Sequence, residues 1–105
     1  MTGTYRPFQV FVADPDGANV RMMTRDPLSK FTPCWFADGR SIAFSVDNVG
    51  VVSNIFQVDL NDGSRRRLTA GPKFDTQPAI SPDGSKLAFQ SNRDGNYEIY
   101  VMNLR

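Results

Sequence analysis

Pro78-Ala79-Ile80-Ser81-Pro82-Asp83-Gly84-Ser85-Lys86-Leu87-Ala88-Phe89 is preceded, forty-five residues upstream, by Pro33-Cys34-Trp35-Phe36-Ala37-Asp38-Gly39-Arg40-Ser41-Ile42-Ala43-Phe44. Sliding the whole chain by that interval superposes eleven identities, among them Arg21/Arg66, Thr24/Thr69, Pro33/Pro78, Asp38/Asp83, Gly39/Gly84 and Phe44/Phe89. Some mismatches exchange one apolar residue for another, as at Ile42/Leu87 and Met23/Leu68. A period of roughly 40–45 residues built from short strand patterns marks propeller blades. One such unit cannot bury both faces of its sheet, so the pattern predicts units that stack.

Working outward from the quoted stretch, five Asp-Gly pairs punctuate the chain, at Asp16, Asp38, Asp62, Asp83 and Asp94. Gly adopts positive φ at little cost and Asp bonds its neighbouring backbone, so each pair predicts a turn between adjacent strands. The intervening runs predict nine strands, at about 8–14, 19–24, 32–36, 41–46, 54–60, 64–69, 77–81, 86–91 and 97–104. Alternation is plain in the last two: Leu87 and Phe89 share a face, and Tyr97, Ile99 and Val101 oppose Glu98, Tyr100 and Met102. The fold class is all-β, in antiparallel four-stranded meander blades.

Composition narrows the rest. A complete propeller needs about four to eight blades, so 105 residues hold about two, as a fragment or as a piece that assembles into a ring. Counting strands outward from the axis, the order is third and fourth, first to fourth, then first to third. One partial propeller over residues 1–105 is expected, with blade parts at 8–24, 32–69 and 77–104. The formal net charge of +1 gives no electrostatic case for nucleic acid. No apolar run reaches the length of a membrane helix, so no membrane insertion is expected. The opening Met1–Pro7 lacks an apolar signal-peptide core; an export signal, if the protein is exported, is expected upstream.

Chemistry is sparse. With no histidine, His triads, His bases and His metal ligands are excluded. The ten aspartates are dispersed and half of them precede Gly, which is turn chemistry, not a calcium loop. No nucleophile elbow or phosphate loop is present, so no catalytic residue, metal or cofactor is expected. Cys34, matched by Ala79, reads as a small buried residue, and Trp35 as core between blades. Arg65-Arg66-Arg67 reads as solvated protection of an outermost strand.

The phrase Pro78-x-x-Ser81-Pro82-Asp83-Gly84-x-x-Leu87-Ala88-Phe89-x-Ser91-x-Arg93-x-Gly95-x-x-x-Ile99-Tyr100-Val101-Met102, with Leu68-Thr69 and Asp75 ahead of it, resembles the repeat of TolB-type β-propellers. The resemblance extends over essentially the whole chain. The earlier copy departs from it where Lys30 replaces Asp75, Phe36-Ala37 replaces Ser81-Pro82, and Asp47-Asn48-Val49-Gly50 replaces Asn92-Arg93-Asp94-Gly95. An Asp at position 75 is expected to cap turn amides, which Lys30 cannot do.

Such a resemblance implies a non-catalytic protein-interaction scaffold of the bacterial envelope. Its implied location is the periplasm, its system Tol–Pal, and its partner a Pal-like lipoprotein. Related blades also serve as accessory propellers of prolyl-oligopeptidase-like or tricorn-like serine peptidases, and a propeller lyase is a further alternative. One rim collects the loops 25–31, 47–53, 70–76 and 92–97. It offers Arg25, Lys30, Phe31, Lys73, Phe74, Arg93 and Asp94 as candidate partner-binding residues, since aromatics and Arg are enriched at interfaces. Phe31 and Phe74 also suit the spaces between blades. Uncovered apolar blade faces predict self-association.

Overall fold

The computed structural model describes residues 7–48 and 52–104. Nine strands follow one another: β1 Phe11–Val12, β2 Arg21–Met22, β3 Ser29–Trp35, β4 Ser41–Asn48, β5 Val52–Asp59, β6 Arg65–Arg67, β7 Asp75–Ile80, β8 Lys86–Ser91 and β9 Glu98–Asn103. They form three antiparallel meanders, β1-β2, β3-β4-β5-β6 and β7-β8-β9, and no helix occurs among the described residues. Val49, Gly50 and Val51, part of the expected rim loop 47–53, lie outside the described residues.

The turns follow from Asp-Gly chemistry. The Asp38 carboxylate accepts the Arg40 amide at 2.9 Å, and Asp83 accepts that of Ser85 at 3.0 Å. Gly39 (φ 71°) and Gly84 (φ 76°) then donate back to Phe36 and Ser81. Thr24 and Thr69 explain another identity. Each buried hydroxyl accepts an amide from the third strand of its own blade: Val10 N at 3.0 Å and Ile55 N at 2.9 Å.

Two cores lie between the three sheets. Ile42, Phe44 and Val46 of β4 join Val58 and Val10 on one side. From the opposite face Ala43 and Ile55 meet Leu87, Phe89, Leu104 and Phe36. Every residue from Ser41 to Val46 is buried, as expected of a strand covered on both faces. At both seams, the start of one blade's third strand meets the start of the next blade's first strand. Lys30 N donates to Phe8 O at 2.8 Å, and Ser53 N donates to Lys73 O at 3.0 Å.

Three sequence expectations change. First, β3 and β7 begin at Ser29 and Asp75, upstream of Pro33 and Pro78, because each crosses a bulge. Thr32 (φ 51°) and Gln77 (φ 55°), one period apart, take the left-handed conformation there. A bulge lets Pro sit inside a strand, since the extra residues leave the hydrogen-bond ladder. Second, Trp35 is 54% exposed and not core. It shares the face of Ile42, turned toward β1 and β2, and two strands of two residues are too short to cover it.

Third, the arginine run does more than protect an edge. Arg65 lies 5.8 Å from the Phe44 ring and pairs with Asp26 at 2.6 Å; Arg67 lies 5.5 Å from the Phe56 ring. Arg66 points to the other side and donates to Leu104 O of the third meander at 3.0 Å. Alternation of side chains along β6 therefore sends Arg66 toward the third meander and Arg65 and Arg67 to the opposite face, over rings of their own sheet.

Candidate functional site

The rim sits where β2 leads into β3, β4 into β5, β6 into β7, and β8 into β9. Its best-defined corner is built around Asp75, the first residue of β7 and fully buried. The Arg93 guanidinium reaches back from the β8–β9 turn and donates to both carboxylate oxygens at 3.1 Å. Asn54 Nδ2 of the preceding blade lies 3.5 Å from the same carboxylate, and Ser53 Oγ donates to the Asp75 carbonyl at 3.0 Å. Asp75 thus accepts from side chains across the seam. It is no cap for turn amides.

Arg93 is held on every side. Its guanidinium stacks 5.1 Å from the Phe89 ring and 5.3 Å from the Tyr100 ring, and Nε donates to Ser91 Oγ at 3.0 Å. Next to it, Asp94 is exposed and accepts the Tyr100 hydroxyl. That hydrogen bond pushes the Tyr100 phenol above its ordinary pKa. Phe74 is half-buried, its amide donating to Asn92 Oδ1 at 2.9 Å, while Lys73 is exposed. Lys73, Phe74, Arg93 and Asp94 are therefore brought to one corner.

Lys30 does not belong to the accessible rim. It is only 3% exposed, and its ammonium donates to the Asp26 carboxylate and to the carbonyls of Leu28 and Asp26. Burial works against the Asp26 carboxylate, yet hydrogen bonds from Lys30, the Leu28 amide and Arg65 outweigh it and hold its pKa below the usual range. A lysine stem crossing the seam would bury its ammonium only where carbonyls and a carboxylate receive it. Phe31, on the same strand, is 37% exposed and packs edge-to-face on Phe8 at 5.2 Å. Arg25 is exposed. Lys30 is sealed, whereas Arg25, Lys73 and the partly exposed Arg93 remain open to a partner.

Sequence reading missed Asp26, Asn54 and Ser53. A signal for the first was present: where the repeat exchanges Asp75 for Lys30, the acid moves to Asp26 and the base Arg93 becomes Asn48. No group of three or more metal-liganding side chains occurs among the described residues.

Known proteins share this fold. A Tol-Pal system protein TolB of Francisella tularensis is 29% identical over 104 residues, covering 94% of this chain and 23% of that protein. The crystal structure of TolB from Acinetobacter baumannii superposes with a TM-score of 0.82 at 29% identity, over 91% of this chain and 24% of that one. An oligogalacturonate lyase in complex with manganese superposes at 0.72 with 21% identity, over 98% of this chain and 29% of that one, a likeness of fold alone. The chain spans about a quarter of the length of the TolB relatives it matches. With the TolB beta propeller domain matched over residues 2–105, and its three meanders stacked as blades, the chain belongs to the TolB β-propeller family.

Proposed function

We propose that the chain is the interaction-bearing part of a non-catalytic envelope scaffold of Tol–Pal type, working in the periplasm. On this reading residues 1–105 are one partial propeller, with blade parts 8–24, 32–69 and 77–104. The observation that carries it is the rim corner, where buried Asp75, paired with the partly exposed Arg93, underlies exposed Lys73 and Asp94 and half-buried Phe74. Rigid presentation of aromatic and charged groups lowers the entropy lost on docking. The partner proposed is a protein, a Pal-like lipoprotein by the family likeness. The uncovered faces of the outer meanders are proposed to pair with further blades or with a second copy.

Calorimetric titration of the protein with the soluble domain of a Pal-like lipoprotein tests this. Binding weakened about tenfold or more by Arg25→Glu with Lys73→Glu is expected, since rim charges at interfaces govern complementarity. Undiminished binding by the double variant would remove the rim from the interface. Failure of the unaltered protein to bind would remove the partner class.

A further inference from the structure

We propose that the cleft between the second and third meanders, flanked by Phe31 and Phe74, binds a neutral saccharide. The cavity measures about 340 Å³, within the range that accepts a small ligand. It lies between β3 and β7, the innermost strands of two adjacent blades, so both walls are built. The cavities beside Phe11 and Trp35 differ, because there β3 faces only the short β1–β2 pair.

Its lining combines two phenyl rings with hydrogen-bonding side chains. Thr32 and Ser45 share a hydrogen bond of 3.0 Å, and Ser45 Oγ also donates to Phe31 O. The Thr76 hydroxyl and Gln77 amide, also lining the cleft, make no hydrogen bond among the described residues. These unspent donors and acceptors suit a hydroxyl-rich ligand, whose apolar C–H face complements the negative face of a phenyl ring. Backbone strain converges on the same place. Thr32 and Gln77, both left-handed, lie on opposite walls. Strain of this kind collects at binding sites, and for the β-branched Thr32 it is a true outlier.

Charge excludes one ligand class. Asp47 is the one ionisable side chain of the lining, so an anionic ligand is repelled there. A neutral sugar ring meets no such repulsion.

Saturation-transfer NMR on the protein, with methyl β-glucoside and N-acetylglucosamine as the probes, tests the proposal. Transfer to ring C–H protons is expected, with Kd of about 1–10 mM. Thr76→Val and Gln77→Gly are each expected to weaken it about fivefold, as for loss of one neutral hydrogen bond. Gln77→Gly keeps the left-handed backbone available, so the fold is retained while the amide is lost. No transfer from either sugar at about 20 mM, unchanged transfer in both variants, or tighter binding of N-acetyl-lysine amide would each overturn it. The sugars are read directly, so the outcome is independent of any protein partner at the rim.

Discussion

Lys30 and Asp75 occupy the same position in successive repeats, both are buried, and their charges are opposite. Each opens its blade's inner strand region at a seam, and each finds the complementary charge in its own neighbourhood: Asp26 for Lys30 and Arg93 for Asp75. Each seam is thus flanked by an ion pair, and the two pairs are inverted. Blades related by one period are therefore not interchangeable.

Removing one partner of a buried pair costs more than removing both, because the survivor keeps its desolvation penalty without compensation. Arg93→Ala is expected to destabilise the protein by about 3 kcal/mol, leaving the Asp75 carboxylate buried with only Asn54 near it. The double variant Asp75→Leu/Arg93→Met is expected to lose less than Arg93→Ala alone. Urea denaturation midpoints of the three proteins decide the order. A double variant that loses as much as Arg93→Ala or more would show that the pair is not coupled.

Making the repeats more alike is expected to harm this protein. Lys30→Asp restores the residue of the later copy, but sets a second carboxylate against Asp26 and leaves the Leu28 carbonyl without its ammonium donor. A loss of about 3 kcal/mol or more follows from an unpaired buried charge. Thermal unfolding with Lys30→Met as reference separates the two effects. Methionine removes the hydrogen bonds without adding like charge, and so falls between the two in melting temperature.

The sequence showed these elements unevenly. Nine strands, the Asp-Gly turns and the forty-five-residue period were legible, because alternation and turn preference are local properties. The ion pairs were not, because Arg93 meets Asp75 only once β7 and β8 pair in register, and Asn54 reaches the same carboxylate only when blades stack. Pro33 and Pro78 read as strand starts, since a strand interior rejects Pro unless a bulge removes its ladder position. Trp35 reads as core in any blade; its exposure depends on what stands opposite β3. For the rim, loop membership was legible and accessibility was not. Corresponding loops gave an open Phe74 neighbourhood in one blade and a sealed Lys30 in the other.

Acid should act through the turn at Asp83. Hydrogen bonds from the Ser85 hydroxyl and amide and from the Ser81 hydroxyl lower its pKa from 3.8 to about 2. A depressed folded value means the folded state binds fewer protons than the unfolded one. The stabilisation is therefore complete above pH 3.8 and fades as pH falls through about 2. Asp83→Asn cannot ionise. The stability gap between it and the unaltered protein is expected to be widest near neutrality and to close toward pH 2, measured by denaturant titration at stepped pH. A gap constant from pH 7 to pH 2 would exclude the ionised carboxylate as the cause.

The outer face of the third meander supplies the clearest test of association. Ile99 is 70% exposed and Val101 63%, on the β9 face turned away from the second core. Beyond β9 its sheet holds no fourth strand among the described residues, whereas β6 fills that place in the second meander. An apolar face beside an unpaired strand edge favours pairing with another sheet. Sedimentation velocity is expected to show concentration-dependent association of the protein. Ile99→Lys with Val101→Lys should shift it toward monomer, because two charges on that face must be desolvated before a second sheet can cover it. The core-facing residues of β9, Tyr100 and Met102, are untouched by this change, so the fold remains as the control. A protein that sediments as a stable monomer at every concentration would show that this face needs no cover.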